Sequence, residues 1–213
     1  MQTATLAVAR NLAHTHAIAL VHSVSRPQPV SSFLPECEIY AQGERSGALY
    51  QIEFGAVRIY RLLSDGRRQV VAFHFAGETF GFEADRTRSF FAEAMVHTGV
   101  RTIDRPANGQ ATPELMALAL RGLIRAQEHL LVVGRQRAME RIAAFFLDMM
   151  DRQDDRGQIE LPMTRLDIGD YLGMTIETVS RTFARFREEG IIRLPSTRIV
   201  EILKPERLRF LCQ

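Results

Sequence analysis

The sequence predicts an α+β chain: a rolled antiparallel sheet first, then one long helix, then a small helical domain that ends in a β-hairpin. Three observations carry this. Short extended runs punctuated by glycine fill the segment from Phe33 to Arg105. Apolar residues then recur at a 4-3-4-3 spacing between Met116 and Gly134. Finally, MTRLDIGDYLGMTIETVSRTFARFREEG, from Met163 to Gly190, reads as two helices joined by a tight turn. At 213 residues the chain is long enough for two modest domains, each with its own core.

Residues 1–30 read as an arm, mobile or partly helical, rich in alanine and histidine and then in proline. Its apolar stretches are broken by Arg10 and Asn11, which argues against a signal peptide. His14-x-His16 has no partner cysteine or carboxylate nearby, so two solvated histidines are the expectation there rather than a metal site. Residues 31–111 carry the sheet. Ala48–Glu53 leads through Gly55 to Ala56–Leu63, where Val57, Ile59, Arg61 and Leu63 alternate onto one side. Ser64-Asp65-Gly66 supplies a hairpin turn, Arg67–Phe75 returns, and Phe90–Val96 with Val100–Ile103 completes the pattern.

Residues 112–136 form the long helix, opened by Thr112 as cap and Pro113 at its first position. Met116, Leu120, Leu123, Gln127 and Leu130 make a seam suited to a second copy of the same helix; burial within one subunit is the alternative. Leu115, Leu118 and Leu131 lie off the seam and are expected against the sheet. Residues 137–213 make the last domain, with a core helix at Arg137–Met150 and a charged surface loop at Asp151–Gly157.

Within that domain, Thr164 and Asp167 resemble a capping box, and Leu166, Ile168, Tyr171 and Leu172 give the first helix its apolar side. Gly173 ends it, Gly169 is small where the second helix crosses, and Thr175 caps that second helix. Ile176, Val179, Phe183 and Phe186 form its apolar stripe. Ile191–Leu194 and Arg198–Leu203 pair around Pro195-Ser196-Thr197 as a wing, and Lys204–Leu211 closes the domain as a short helix. A helix-turn-helix of this kind presents its second helix to a DNA major groove. Glu177, Ser180 and Arg181 project together from it, and arginine can fork onto guanine O6 and N7 while a carboxylate accepts from cytosine N4. Ile176 offers apolar contact, for instance to a thymine methyl, whereas Thr164, Thr175, Thr178 and Arg185 are placed for the DNA backbone. An isolated Glu177/Arg181 pair would equally suit a solvated ion pair.

DIGDYLGMTIETVSRTFARFREEGII resembles the DNA-binding end of the cyclic-AMP receptor protein/FNR superfamily, and its E-T-V-S-R run is similar to the FNR and FixK branch. FGAVRIYRLLSDGRRQVVAFHFAGETFGFE resembles the family's β-roll, so the likeness spans Phe33 to Leu211. It implies a cytoplasmic homodimer that binds double-stranded DNA through a winged helix-turn-helix and works with RNA polymerase. It also implies activation of low-oxygen or nitrogen-fixation genes from a TTGAT…ATCAA palindrome. Some relatives bind a cyclic nucleotide through a glutamate and an Arg-Ser pair. Here Glu83 and Arg88-Ser89 stand in that region, but bulky Phe90 and Phe91 follow, so a roll filled by its own aromatics and needing no cofactor is expected. A regulator gated by a small ligand in the roll is the alternative.

Other chemistries are bounded by counting. Cys37 and Cys212 are too few for an iron–sulfur cluster held within one chain. His74 and His97 suit strand packing better than haem ligation. Cys212 is a possible redox thiol, with Arg209 its nearest evident basic residue in sequence. No nucleophile elbow, zinc-protease motif or P-loop lysine points to an enzyme, and no apolar run is long enough to cross a membrane. The net charge of +2 says little about a polyanion, although arginine dominates and Lys204 is the only lysine.

Overall fold

A computed structural model describes residues 29–103, 112–153 and 157–213. The expectations for residues 1–28, His14-x-His16 and the Pro106–Gly109 turn fall outside the described residues. The front of the chain contains β1 (Val30–Phe33), β2 (Glu38–Tyr40), β3 (Leu49–Phe54), β4 (Ala56–Leu62), β5 (Arg68–Phe75), β6 (Thr79–Phe80), β7 (Phe91–Ala94) and β8 (Thr98–Ile103). They form two antiparallel four-stranded sheets, ordered β1-β8-β3-β6 and β2-β7-β4-β5. Ile52, Phe80 and Val100 of the first sheet meet Tyr40, Val57, Ile59 and Ala92 of the second in one core. Gly55 makes the corner between β3 and β4. Its φ is +88°, and a Cβ there would lie 2.5 Å from the Thr98 hydroxyl, so only glycine fits.

The alternation expected along β4 holds at Val57 and Ile59, which are buried, and fails beyond them. Arg61 is exposed and Leu63 is 39% exposed, because the hairpin runs past the end of the roll. The opposite face of β4 is buried too, at Ala56 and Arg58. It packs against the last domain: Ala56, Val70, Phe73 and Met95 share a second core with Phe145, Phe146, Ile168, Phe183 and Phe186. A bulge lets β5 reach that core. Ile59 pairs with Ala72 but Tyr60 pairs with Val70, so the parity of β5 changes and Val70 and Arg68 join Phe73 on the outer face.

Helix α1 (Pro113–Val133) follows, with the Thr112 hydroxyl accepting from Leu115 N at 3.3 Å. The last domain contains α2 (Ala138–Gln153), β9 (Gln158–Glu160), α3 (Arg165–Leu172), α4 (Ile176–Glu188), β10 (Ile192–Arg193), β11 (Ile199–Ile202) and α5 (Pro205–Leu211). Helix α2 continues to Gln153, past the expected loop start at Asp151, because Gln153 ties to Glu160 through two hydrogen bonds. Strand β9 pairs with β11, making the wing a three-stranded sheet. Phe146 meets Phe183 edge to face at 4.9 Å. Each such buried phenylalanine contributes about 1.5–3 kcal/mol, which fixes α4 on α2.

Leu131 does not pack on the sheet as expected: it is 75% exposed, beside Leu130 at 69%. With Met116, Leu120, Leu123 and Ile124, each about half exposed, it widens the apolar stripe of α1. Leu115 and Leu118 are half-buried.

Candidate nucleic-acid interface

Helix α3 begins with a full capping box. The Thr164 hydroxyl accepts from Asp167 N at 3.1 Å, while Asp167 Oδ2 accepts from Thr164 N at 2.9 Å. Its apolar side differs from the expected set in one place: Ile168 and Leu172 are buried, but Leu166 is 48% exposed. Gly173, at φ +64°, ends α3 in the left-handed conformation. Gly169 lets the turn close over it, since a Cβ there would sit 2.6 Å from the Met174 carbonyl oxygen.

Helix α4 is capped by Thr175, whose hydroxyl accepts from Thr178 N at 3.3 Å. Val179, Phe183 and Phe186 are buried as expected, and Thr182 joins them by donating to Thr178 O at 2.8 Å. Ile176 leaves the stripe. At 40% exposure it lines a shallow surface concavity together with Glu177, Ser180 and Arg181. The structure therefore brings all four residues of the expected base-reading set onto one open face.

That face is chemically available. Arg181 Nε reaches the Glu177 backbone carbonyl at 3.4 Å rather than its carboxylate, so the side chains are not locked into the solvated pair. The Glu177 carboxyl is held below its ordinary range, first by its own backbone N–H, then by the Thr175 hydroxyl and the charge of Arg181. It is an ionised acceptor at neutral pH.

The residues expected on the DNA backbone are more committed. Thr164 is exposed, but its hydroxyl donates to Asp167 Oδ2 at 2.7 Å. The Thr175 and Thr178 hydroxyls lie 3.1 Å apart. Arg185 is exposed and donates to Glu189 at 2.9 Å, a surface pair weak enough for a phosphate to replace. Arg165, the first residue of α3, is spent on packing. It lies 3.5 Å from the Phe183 ring centre, and burial lowers its pKa to about 10.

The roll residues that could hold a cyclic nucleotide do not fit one. Arg88 is buried, donating to the carbonyls of Gly81 and Ala48 at 2.7 Å each, with its guanidinium 4.1 Å from the Tyr40 ring centre. Glu83 accepts from the Ser89 backbone and hydroxyl at 2.9 and 2.8 Å. Tyr40, Tyr50 and Phe80 stack with one another inside. A phosphate would have to break the Arg88 bonds and displace a filled core.

The remaining candidates find ordinary partners. His97 pairs with Ser32 at 2.8 Å, and His74 lies 3.3 Å from Glu78. Cys212 neighbours Arg135, not the expected Arg209: Arg135 donates to the Cys212 carbonyl at 3.0 Å. Burial pushes the thiol above its ordinary pKa and outweighs the charge of Arg135, which keeps it from forming the reactive thiolate. Among the described residues no helix is long and apolar enough to cross a membrane, and no group of three or more histidine, cysteine or acidic residues could hold a metal ion.

Sequence reasoning missed the burial of Asp167. Its carboxylate is 1% exposed and accepts from Arg58 and Arg68 of the roll as well as from its own cap. A composition-based reading places an acid at N3 on the surface; its arginine partners, about a hundred residues earlier in the chain, leave no local signal.

Comparison with known proteins agrees with this architecture. Residues 30–110 match the model of the cyclic nucleotide-binding domain, and residues 140–211 match that of the Crp-like helix-turn-helix domain. The chain is 54% identical over 189 residues to the nitrogen fixation regulation protein FixK of Rhizobium meliloti, covering 89% of this chain and 90% of that protein. It is 39% identical to the FixK of Azorhizobium caulinodans, covering 83% and 76% of the two chains. The structure of FixK2 from Bradyrhizobium japonicum superposes with a TM-score of 0.81 at 40% identity, over 87% of this chain and 98% of that one. A roll of this topology, a long helix and a capped helix-turn-helix with an open polar reading face, together with these matches, place the chain in the CRP/FNR family of DNA-binding transcription regulators, within its FixK-like branch.

Proposed function

We propose that the protein is a homodimeric regulator of nitrogen-fixation or low-oxygen genes that reads a TTGAT…ATCAA-type palindrome without a cyclic nucleotide. The observation that carries it is the open face formed by Ile176, Glu177, Ser180 and Arg181 on a helix whose opposite side is buried. Glu177 and Arg181 read C·G edges, Ile176 touches a thymine methyl, and Ser180 adds a short polar contact. Arg185 anchors a phosphate, with the threonines of the two caps lying alongside. The relatives named for nitrogen fixation regulation supply the physiological setting.

Two copies are needed because each supplies one reading helix for one half-site, and the half-sites lie about 34 Å apart. The wide apolar stripe of α1, with Met116, Leu120, Leu123 and Leu130 and the polar Gln127 exposed along it, supports assembly through that helix. Gene activation then runs through contact with RNA polymerase. Selection of bound sites from random DNA by the purified protein in air, with and without cyclic AMP, tests the reading. It should recover the same palindrome in both arms. Recovery of no sequence, or of a palindrome only when cyclic AMP is present, would refute it.

A further inference from the structure

The contact between the roll and helix α3 is unlike an ordinary domain junction. Asp167 is the N3 residue of α3, and its carboxylate accepts from Thr164 within its own cap and from two arginines of the roll. Arg58 Nη1 lies 3.1 and 3.3 Å from its two oxygens, and Arg68 Nη2 lies 2.6 Å from Oδ1. Arg68 also donates through Nε to Asp170 at 2.9 Å, and Gln69 donates to the Asp170 carbonyl at 2.6 Å. Arg58 is itself held by Glu36 and Glu93, and Tyr60 donates to Glu93 at 3.1 Å. The β5 bulge is what turns Arg68 onto the same face as Arg58.

These bonds grip α3 in its first turn and in its last, through side chains and a backbone carbonyl. Two arginines on one buried carboxylate resist rotation in a way that apolar contact does not, because hydrogen bonds to charged groups are directional and unpaired buried charge is costly. Helix α4 is fixed to α3 through the tight turn from Gly173 to Thr175, which closes over Gly169, so whatever holds α3 also aims the reading face.

We propose that Arg58, Arg68 and Gln69 are positioning residues for DNA reading: the roll serves as a brace that presets the angle of the reading head, and with it the spacing between half-sites that the dimer accepts. The inference rests on the DNA-reading function proposed above. It gives the roll a role that needs no bound nucleotide.

Full-length Arg68→Gln and Gln69→Ala variants test it. Both positions are half-buried on the edge strand β5, and their partners in the last domain lie on α3 rather than α4. Binding is measured to the selected palindrome, to the same half-sites with the spacer changed by one or two base pairs, and to DNA carrying a single half-site. Arg68→Gln should lose about tenfold on the native spacing and flatten the spacer preference, while single half-site affinity stays within about twofold. Gln69→Ala should show the same pattern more weakly, and Arg68→Lys should restore part of it. An unchanged spacer profile in both variants overturns the brace. So does an equal loss on palindrome and single half-site, which marks damage to the head itself. If the unaltered protein selects no palindrome, the functional reading falls and takes the brace with it; a normal wild-type palindrome with unchanged variants sinks the brace alone.

Discussion

Placing glutamate at Leu123 and Leu130 should split the dimer. The two leucines are 54% and 69% exposed in the single chain, on a helix with no buried residue of its own. Fully burying a leucine is worth about 1.5–3 kcal/mol, so covering what is still exposed gives roughly 1–2 kcal/mol for each. With two leucines in each of two subunits, the seam loses about 4–8 kcal/mol, and a dimer dissociation constant rises by about three to six orders of magnitude. The facing carboxylates add a desolvation cost to that. Glutamate is a good helix former, so the helix should survive the change. Sedimentation equilibrium at micromolar concentration should find a folded monomer, and affinity for the palindrome should collapse because one reading helix then holds one half-site. A folded dimer that binds the palindrome normally would refute assembly through this face.

Further outcomes follow from the reading head. Arg181→Ala should cost about 1–3 kcal/mol on the cognate half-site and relax preference at one or two base pairs in a binding-site selection. Arg185→Ala should instead weaken all sequences alike and lower the salt slope by about one unit, read from affinity against salt concentration. Ile176→Arg should move selection from a TTGA-type core toward one with guanine in place of its first or second thymine, because arginine replaces an apolar contact with a guanine fork. Gly169→Ala drives a methyl group to 2.6 Å from the Met174 carbonyl oxygen, so thermal or urea unfolding should show a loss of about 1–3 kcal/mol.

The elements legible in the sequence were those set by local chemistry. The Asp65-Gly66 turn places Gly66 at φ +82° between β4 and β5. The caps at Thr112, Thr164 and Thr175 lie where hydroxyls precede helical periodicity. The open face of α4 followed from the same periodicity. Strands β1, β2 and β6 escaped, being two to four residues long and too short for alternation to show. Leu131 and Leu166 were misplaced because a helical stripe records which residues are apolar, not which neighbour reaches them. Arg88 and Asp167 escaped for a deeper reason. A phosphate-binding arginine and one that satisfies two carbonyls look alike in sequence, as do a solvated capping acid and a buried one.

Those last two residues bear on the proposed function, in which the chain reads DNA without a signal molecule. In a ligand-gated roll, an arginine in the pocket keeps a charge in reserve for an incoming phosphate. Arg88 keeps its charge but not its freedom: both terminal nitrogens already donate to backbone carbonyls and its face lies on Tyr40. The roll's other buried arginine, Arg58, points outward and spends its charge on Asp167 of the reading head. By contrast, Glu177 and Arg181 leave their side chains unpaired with each other at the surface. An exposed pair there would add no more than about 1 kcal/mol of stability, yet it would have to open before either side chain could meet a base. Charge is thus neutralised where the head must be held and left free where it must read, the distribution a regulator needs if its DNA-competent form is also its resting form.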